Sequence, residues 1–124
     1  MKRITVAEAT DLSDNWTNTR QAAVDRAAGK PDNRSVWCSL DDLRQFLDDA
    51  ENEAKANGYD MDGVRIYLGV YGEEQLADKA GYTTMFLTAT GKKTDTTDPT
   101  QDLTDIDPFN DGMGGNPPQA TYPQ

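Results

Sequence analysis

The chain has 124 residues, one cysteine, no histidine and a formal net charge of −10, which bounds it to one domain with a modest core. Without histidine, Ser-His-Asp and Cys-His centres are impossible, and one thiol without imidazole excludes the usual zinc sites and any intrachain disulfide. The acidity weighs against nucleic-acid phosphates and anionic membrane surfaces, which attract clustered Lys and Arg.

In chain order, Thr5 and Glu8 have the form of a capping box, so a helix is expected from Val6. Leu12, Trp16, Ala23 and Ala27 continue a helical stripe, with Arg20 or Thr19 in the gap. The stretch Asp14–Thr19 is poor in helix formers, so the segment is either one bent helix or two pieces. Gly29-Lys30-Pro31-Asp32-Asn33 ends it and leads into a short strand at Val36-Trp37-Cys38. Within that strand Cys38 reads as a small buried hydrophobe rather than a reactive thiol. The N-terminus lacks the apolar stretch of a signal peptide, and no apolar run is long enough to span a bilayer. These features imply a cytoplasmic protein.

Ser39 is a natural N-cap, with Asp41 and Asp42 in the first turn facing the positive end of the helix dipole. Leu40, Leu43, Leu47, Ala50 and Ala54, with Phe46 beside them, form the apolar stripe of that helix. Asn57-Gly58 stops it, Gly58 suiting the left-handed position past the end. Val64, Ile66, Leu68 and Val70 then alternate with Arg65, Tyr67, Gly69 and Tyr71, a strand whose aliphatic face is expected against the helix. The helix is long enough for a right-handed crossover, so this strand and Val36–Cys38 are expected to lie parallel. Gly72–Gly81 is a loop or a single helical turn, and Tyr82–Ala89 returns as an antiparallel strand ended by Gly91-Lys92-Lys93.

From Thr94 the character changes. Residues 94–124 hold five of six prolines, six aspartates and no base, so the tail contributes −6 and the preceding 93 residues −4. Leu103, Ile106, Phe109, Met113 and Tyr122 are its few anchors. A segment this polar is either flexible or draped over the domain or a partner. The expected architecture is a single α+β domain over 1–93: an N-terminal helix, then β-α-β-β with a small mixed three-stranded sheet. An acidic Pro/Gly-rich tail follows over 94–124.

No catalytic residue, metal site or cofactor motif emerges. Asp60-Met61-Asp62-Gly63 resembles part of an EF-hand loop, but the first and twelfth ligand positions would be Gly58 and Gly69. Asp107–Gly112 fails likewise, with Phe109 third and Pro118 twelfth. Both are better read as turns. The pairs Asp41/Asp42 and Asp48/Asp49 read as a solvated helix face.

The second sheet face is the feature with functional content. Arg65, Tyr67 and Tyr71 would lie near Tyr82, Thr84 and Phe86, with Phe109 or Tyr122 able to dock on the rings. Either the N-terminal helix covers this face, with Trp16 among the rings, or the face meets a partner, Tyr and Arg being favoured at interface hot spots. The leading expectation is therefore a non-enzymatic module that binds another protein, or itself, through Arg65, Tyr67, Tyr71, Tyr82, Phe86 and Phe109. One alternative is an acidic inhibitor or immunity-type protein that neutralises a basic partner through Asp41, Asp48, Asp49 and the tail. Another is a small-molecule binding domain.

The segments Trp37–Leu43, Gly63–Gly69 and Gly112–Pro118 resemble those of a family of small uncharacterised bacterial proteins. The resemblance implies a bacterial cytosolic setting and assigns no role to any residue.

Overall fold

The computed structural model describes residues 1–75, 78–110, 113–114 and 120–124, with side chains at 113 and 114 excepted. Helix α1 (Val6–Trp16) opens on the expected capping box. Thr5 Oγ1 accepts from the Glu8 N–H at 3.1 Å, and Glu8 Oε2 accepts from the Thr5 N–H at 2.7 Å. The helix runs through a π turn (Thr17–Gln21) into α2 (Ala22–Ala28), which Gly29 ends at φ 72°. Where the helix was expected to bend, threonine hydroxyls bond back to the preceding turn: Thr17 Oγ1 to Ser13 O, Thr19 Oγ1 to Asn15 O. Such back-bonding competes with the backbone ladder and favours local widening. None of these helices contains a buried residue, so the stripe Leu12–Trp16–Ala23–Ala27 is not a core face.

Strand β1 (Val36–Trp37) is shorter than expected and leaves Cys38 outside it, half-buried. Helix α3 (Leu40–Ala56) begins on Ser39, whose Oγ accepts from the Asp42 N–H at 3.0 Å, and is followed by Gly58 at φ 81°. The strands are β2 (Tyr59–Val70), β3 (Thr83–Lys93), β4 (Gln101–Asp102) and β5 (Met113–Gly114).

The α+β class and the helix, strand, helix, strand, strand order are as expected. The sheet differs in its third member. It runs β2-β3-β4 and is antiparallel, with Thr90 opposite Asp102 and Gly91 opposite Gln101; β1 pairs elsewhere, with β5. A two-residue partner supplied soon after β3 closes a shorter loop than a crossover over α3, a modest entropic advantage.

The chain divides into two compact units. One comprises 1–36, 70–84 and 114–124, the other 37–69 and 85–113. In the first, Asp32 is buried and fastens the loop after α2 to the β2–β3 hairpin. Its carboxylate accepts from the Asn33 N–H at 2.8 Å, the Thr83 N–H at 2.7 Å and the Thr83 hydroxyl. Asn33 Nδ2 donates to Thr83 O at 3.0 Å and Lys30 Nζ to Ala80 O at 2.6 Å. Arg34 embraces the π turn, donating to Ser13 O, Ser13 Oγ, Thr17 Oγ1 and Gln21 Oε1, none of which is charged.

In the second unit the core is Ala50 and Ala54 of α3, Ala89 of β3, and Leu103 and Ile106 just past β4. Phe46, Tyr59 and Met61 pack around them. The buried face of α3 is therefore Phe46–Ala50–Ala54, while Leu40 and Leu47 are exposed. Alanine against alanine brings helix and strand close, and the turn from Leu103 to Ile106 fills the remaining width with larger side chains. The folded region thus extends past Lys93 through Phe109, whose N–H and C=O both pair with Leu87 at 2.9 Å.

The aliphatic row of β2 does not meet α3. Val64, Ile66, Leu68 and Val70 are 37%, 50%, 64% and 68% exposed. The helix instead serves the other end of the strand, where Tyr59 and Met61 reach the core. Asp60–Gly63, read as a turn, belongs to β2, and Gly91–Lys93 continues β3 rather than ending it. A Cβ on Gly91 would lie 2.2 Å from the Asp60 carbonyl oxygen, so glycine here permits close strand approach. For Asp107–Gly112, residues 111 and 112 lie outside the described residues, and Phe109 pairs with β3. Met113, expected as an anchor, has no described side chain, and Tyr122 is 43% exposed.

Candidate interaction surfaces

Asp102 is the pivot of the aromatic face. It stands on β4 opposite Thr90, and its carboxylate reaches across β3 to β2. Arg65 Nη1 donates to Oδ1, and the Tyr67 hydroxyl donates to Oδ2 at 2.6 Å. Tyr67 stacks on Phe86 of β3 with centroids 5.3 Å apart and planes 18° from parallel. Arg65 remains 47% exposed and Asp102 26%. A charge-assisted pair with one oxygen for each donor fixes both side chains, so the ring pair and the guanidinium form a pre-ordered patch. Tyr67 first, then the Asp102 charge, raises the Arg65 pKa, so the group stays cationic.

The six expected contact residues do not assemble on one surface of one unit. Arg65, Tyr67 and Phe86 come together around Asp102. Phe109 belongs to the same unit but stacks on Phe46 of α3, centroids 5.2 Å apart. Tyr71 and Tyr82 belong to the other unit. There Tyr71 meets the Thr84 hydroxyl at 3.2 Å and lies under Lys79, and Lys30 Nζ sits 3.8 Å from the centre of the Tyr82 ring. Asp102, the residue that organises the patch, was counted among the tail acids. Only the β3–β4 register reveals it, and no local pattern marks a two-residue strand.

Other described acids sit in local hydrogen-bond roles or on the surface. Asp62 accepts from the Thr90 hydroxyl at 2.8 Å and from the Thr100 hydroxyl, and Asp60 accepts from the Thr94 hydroxyl at 3.4 Å. Thr100 chiefly, with Thr90, holds the Asp62 carboxyl below the usual aspartate value. Asp41, Asp42, Asp48 and Asp49 are exposed along α3. Among the described residues no group of three His, Cys, Asp or Glu side chains is placed to hold a metal ion, and no helix is long and apolar enough to cross a membrane. A cleft of about 100 Å³ lies beside Asn57, Asp102 and Asp105, below the roughly 300–1,000 Å³ of typical ligand sites. Comparison with protein-family models, curated proteins and solved structures finds no match to this chain.

Proposed function

We propose that this chain is a non-enzymatic protein-interaction module that docks a partner on the Arg65–Tyr67–Phe86 patch. One observation carries the reading: a stacked aromatic pair and a half-exposed guanidinium are held in place by Asp102 before any partner arrives. Tyr and Arg lose little further freedom on binding when already fixed, which suits them to hot spots. A cytoplasmic setting belongs to the same proposal, resting on the single unpaired Cys38. Capture from a lysate of the source organism, comparing wild type with Tyr67→Ala/Phe86→Ala, tests it. A partner kept by the wild type and lost by the double variant is the expected result; equal capture by both overturns it.

A second reading, an acidic inhibitor of a basic partner, is favoured by the exposed row Asp41, Asp42, Asp48 and Asp49 on α3. Its mark is affinity that falls steeply with salt and survives the Tyr67/Phe86 variant.

A further inference from the structure

We infer that the outer edge of β2 is a self-association surface, on which β2 of a second copy of this chain pairs antiparallel. Among the described residues β2 is the edge of its sheet, hydrogen-bonded to β3 on one side only. It is 12 residues long, and a free edge of that length presents a row of unpaired N–H and C=O groups. Monomeric sheets blunt such edges with proline, lysine or short strands. Tyr59–Val70 contains neither proline nor lysine, its acids Asp60 and Asp62 stand together at one end, and its one base, Arg65, is already paired with Asp102.

The side chains make the edge adhesive as well as open. Val64, Ile66 and Leu68 form an aliphatic row 37%, 50% and 64% exposed. Alternation along the strand sets this row on the sheet face opposite Arg65 and Tyr67, so the aliphatic row itself lies apart from the rings around Asp102.

Charge selects the occupant. In a chain of net charge −10, residues 63–72 carry no acid at all. Two copies of so acidic a protein repel each other least where their acids are absent. The segment also complements itself. A two-fold axis at Ile66 sets Ile66 opposite its own copy, Val64 opposite Leu68 and Arg65 opposite Tyr67. Aliphatic meets aliphatic on one face and cation meets ring on the other, and cross-strand pairs of these kinds stabilise antiparallel sheets. The product is a continuous six-stranded sheet, with three strands from each copy.

Sedimentation equilibrium of the full chain over a concentration series, at low and high NaCl, tests this. The wild type is expected to form dimers whose dissociation constant falls as salt rises, because screening removes repulsion between the two acidic chains. Ile66→Lys places like charges across the axis and is expected to weaken the dimer by about tenfold or more. Should that variant lose its circular dichroism signature, Ile66→Thr decides the matter: it keeps a β-branched strand former and still weakens the dimer. A wild type monomeric throughout the series overturns the proposal, as does a dimer unchanged in the folded Ile66 variant. Phe86→Ala, which removes the patch's ring on β3 and leaves every residue of the β2 edge in place, leaves the dimer intact, which separates failure of this interface from failure of the partner patch.

Discussion

Strands β2 and β3 are neighbours with similar alternation and opposite fates. The middle of β2 is Val-Arg-Ile-Tyr-Leu-Gly-Val, a strand that on composition belongs in a core, yet its aliphatic row is exposed. The threonine-rich β3 holds the buried positions Thr84, Thr88, Ala89, Thr90 and Gly91. Place in the sheet outweighs hydrophobicity. β3 is central, flanked by β2 and β4, while Ala89 on it meets the helix. Its threonines tolerate burial because neighbours satisfy their hydroxyls, as Asp62 does for Thr90 and Tyr71 for Thr84.

Substitutions should divide along the same line. Among single substitutions the largest effect is expected for Gly91→Val on β3, where the first added carbon meets the Asp60 backbone. A loss of about 3 kcal/mol or more in a urea titration is the expected outcome, and a loss below about 1 kcal/mol would break the close-approach argument. Leu103→Ala, which empties the space beneath β3 and α3, should cost about 2–4 kcal/mol in the same measurement. A fragment ending at Lys93 should lack the cooperative transition altogether, since Leu103 and Ile106 are both in the core. Asp32→Ala strips three acceptor interactions from the hairpin staple. It should cost about 2 kcal/mol and leave the Thr83 amide fast to exchange by NMR.

The acid limb sharpens the comparison at β2's charged end. The folded pKa of Asp62 lies below its ordinary 3.8, so its stabilising contribution is complete above that value. The contribution disappears as pH falls through the folded pKa. Thr100→Val removes the principal hydroxyl donor and should make the unfolding midpoint less dependent on pH below about 4. The smallest effect is expected at the exposed row: Val64→Thr, measured at dilutions where the chain is monomeric, should stay within about 0.5 kcal/mol of wild type.

Much of this fold was legible because it is local. The Thr5–Glu8 box, the Ser39 cap and the Gly29 and Gly58 stops all depend on residues a few positions apart. What was not legible depends on register between distant segments. The rotation of α3's buried face toward Phe46–Ala50–Ala54 follows from Leu103 and Ile106 arriving from beyond Lys93. The aromatic patch was visible in Arg65, Tyr67 and Phe86, but its anchor was not, because Asp102 acts only by lying opposite Thr90. Aspartate disfavours strands by intrinsic preference, which is why Asp60 and Asp62 read as a turn. Hydroxyls from Thr90, Thr94 and Thr100 satisfy their carboxylates.

The bond between Asp32 and Thr83 joins residues 51 positions apart. The chain between them includes all of α3 and β2. On a ribosome, the loop after α2 therefore waits without the two Thr83 donors of its carboxylate until the whole intervening segment has been synthesised and turned back. Local helices can form as they emerge, but this closure is a late, non-local event, and such contacts set slow folding rates. A nascent chain halted before Thr83 would hold finished helices and an open clasp, and would be sensitive to protease at Gly29–Arg34 until the hairpin arrives.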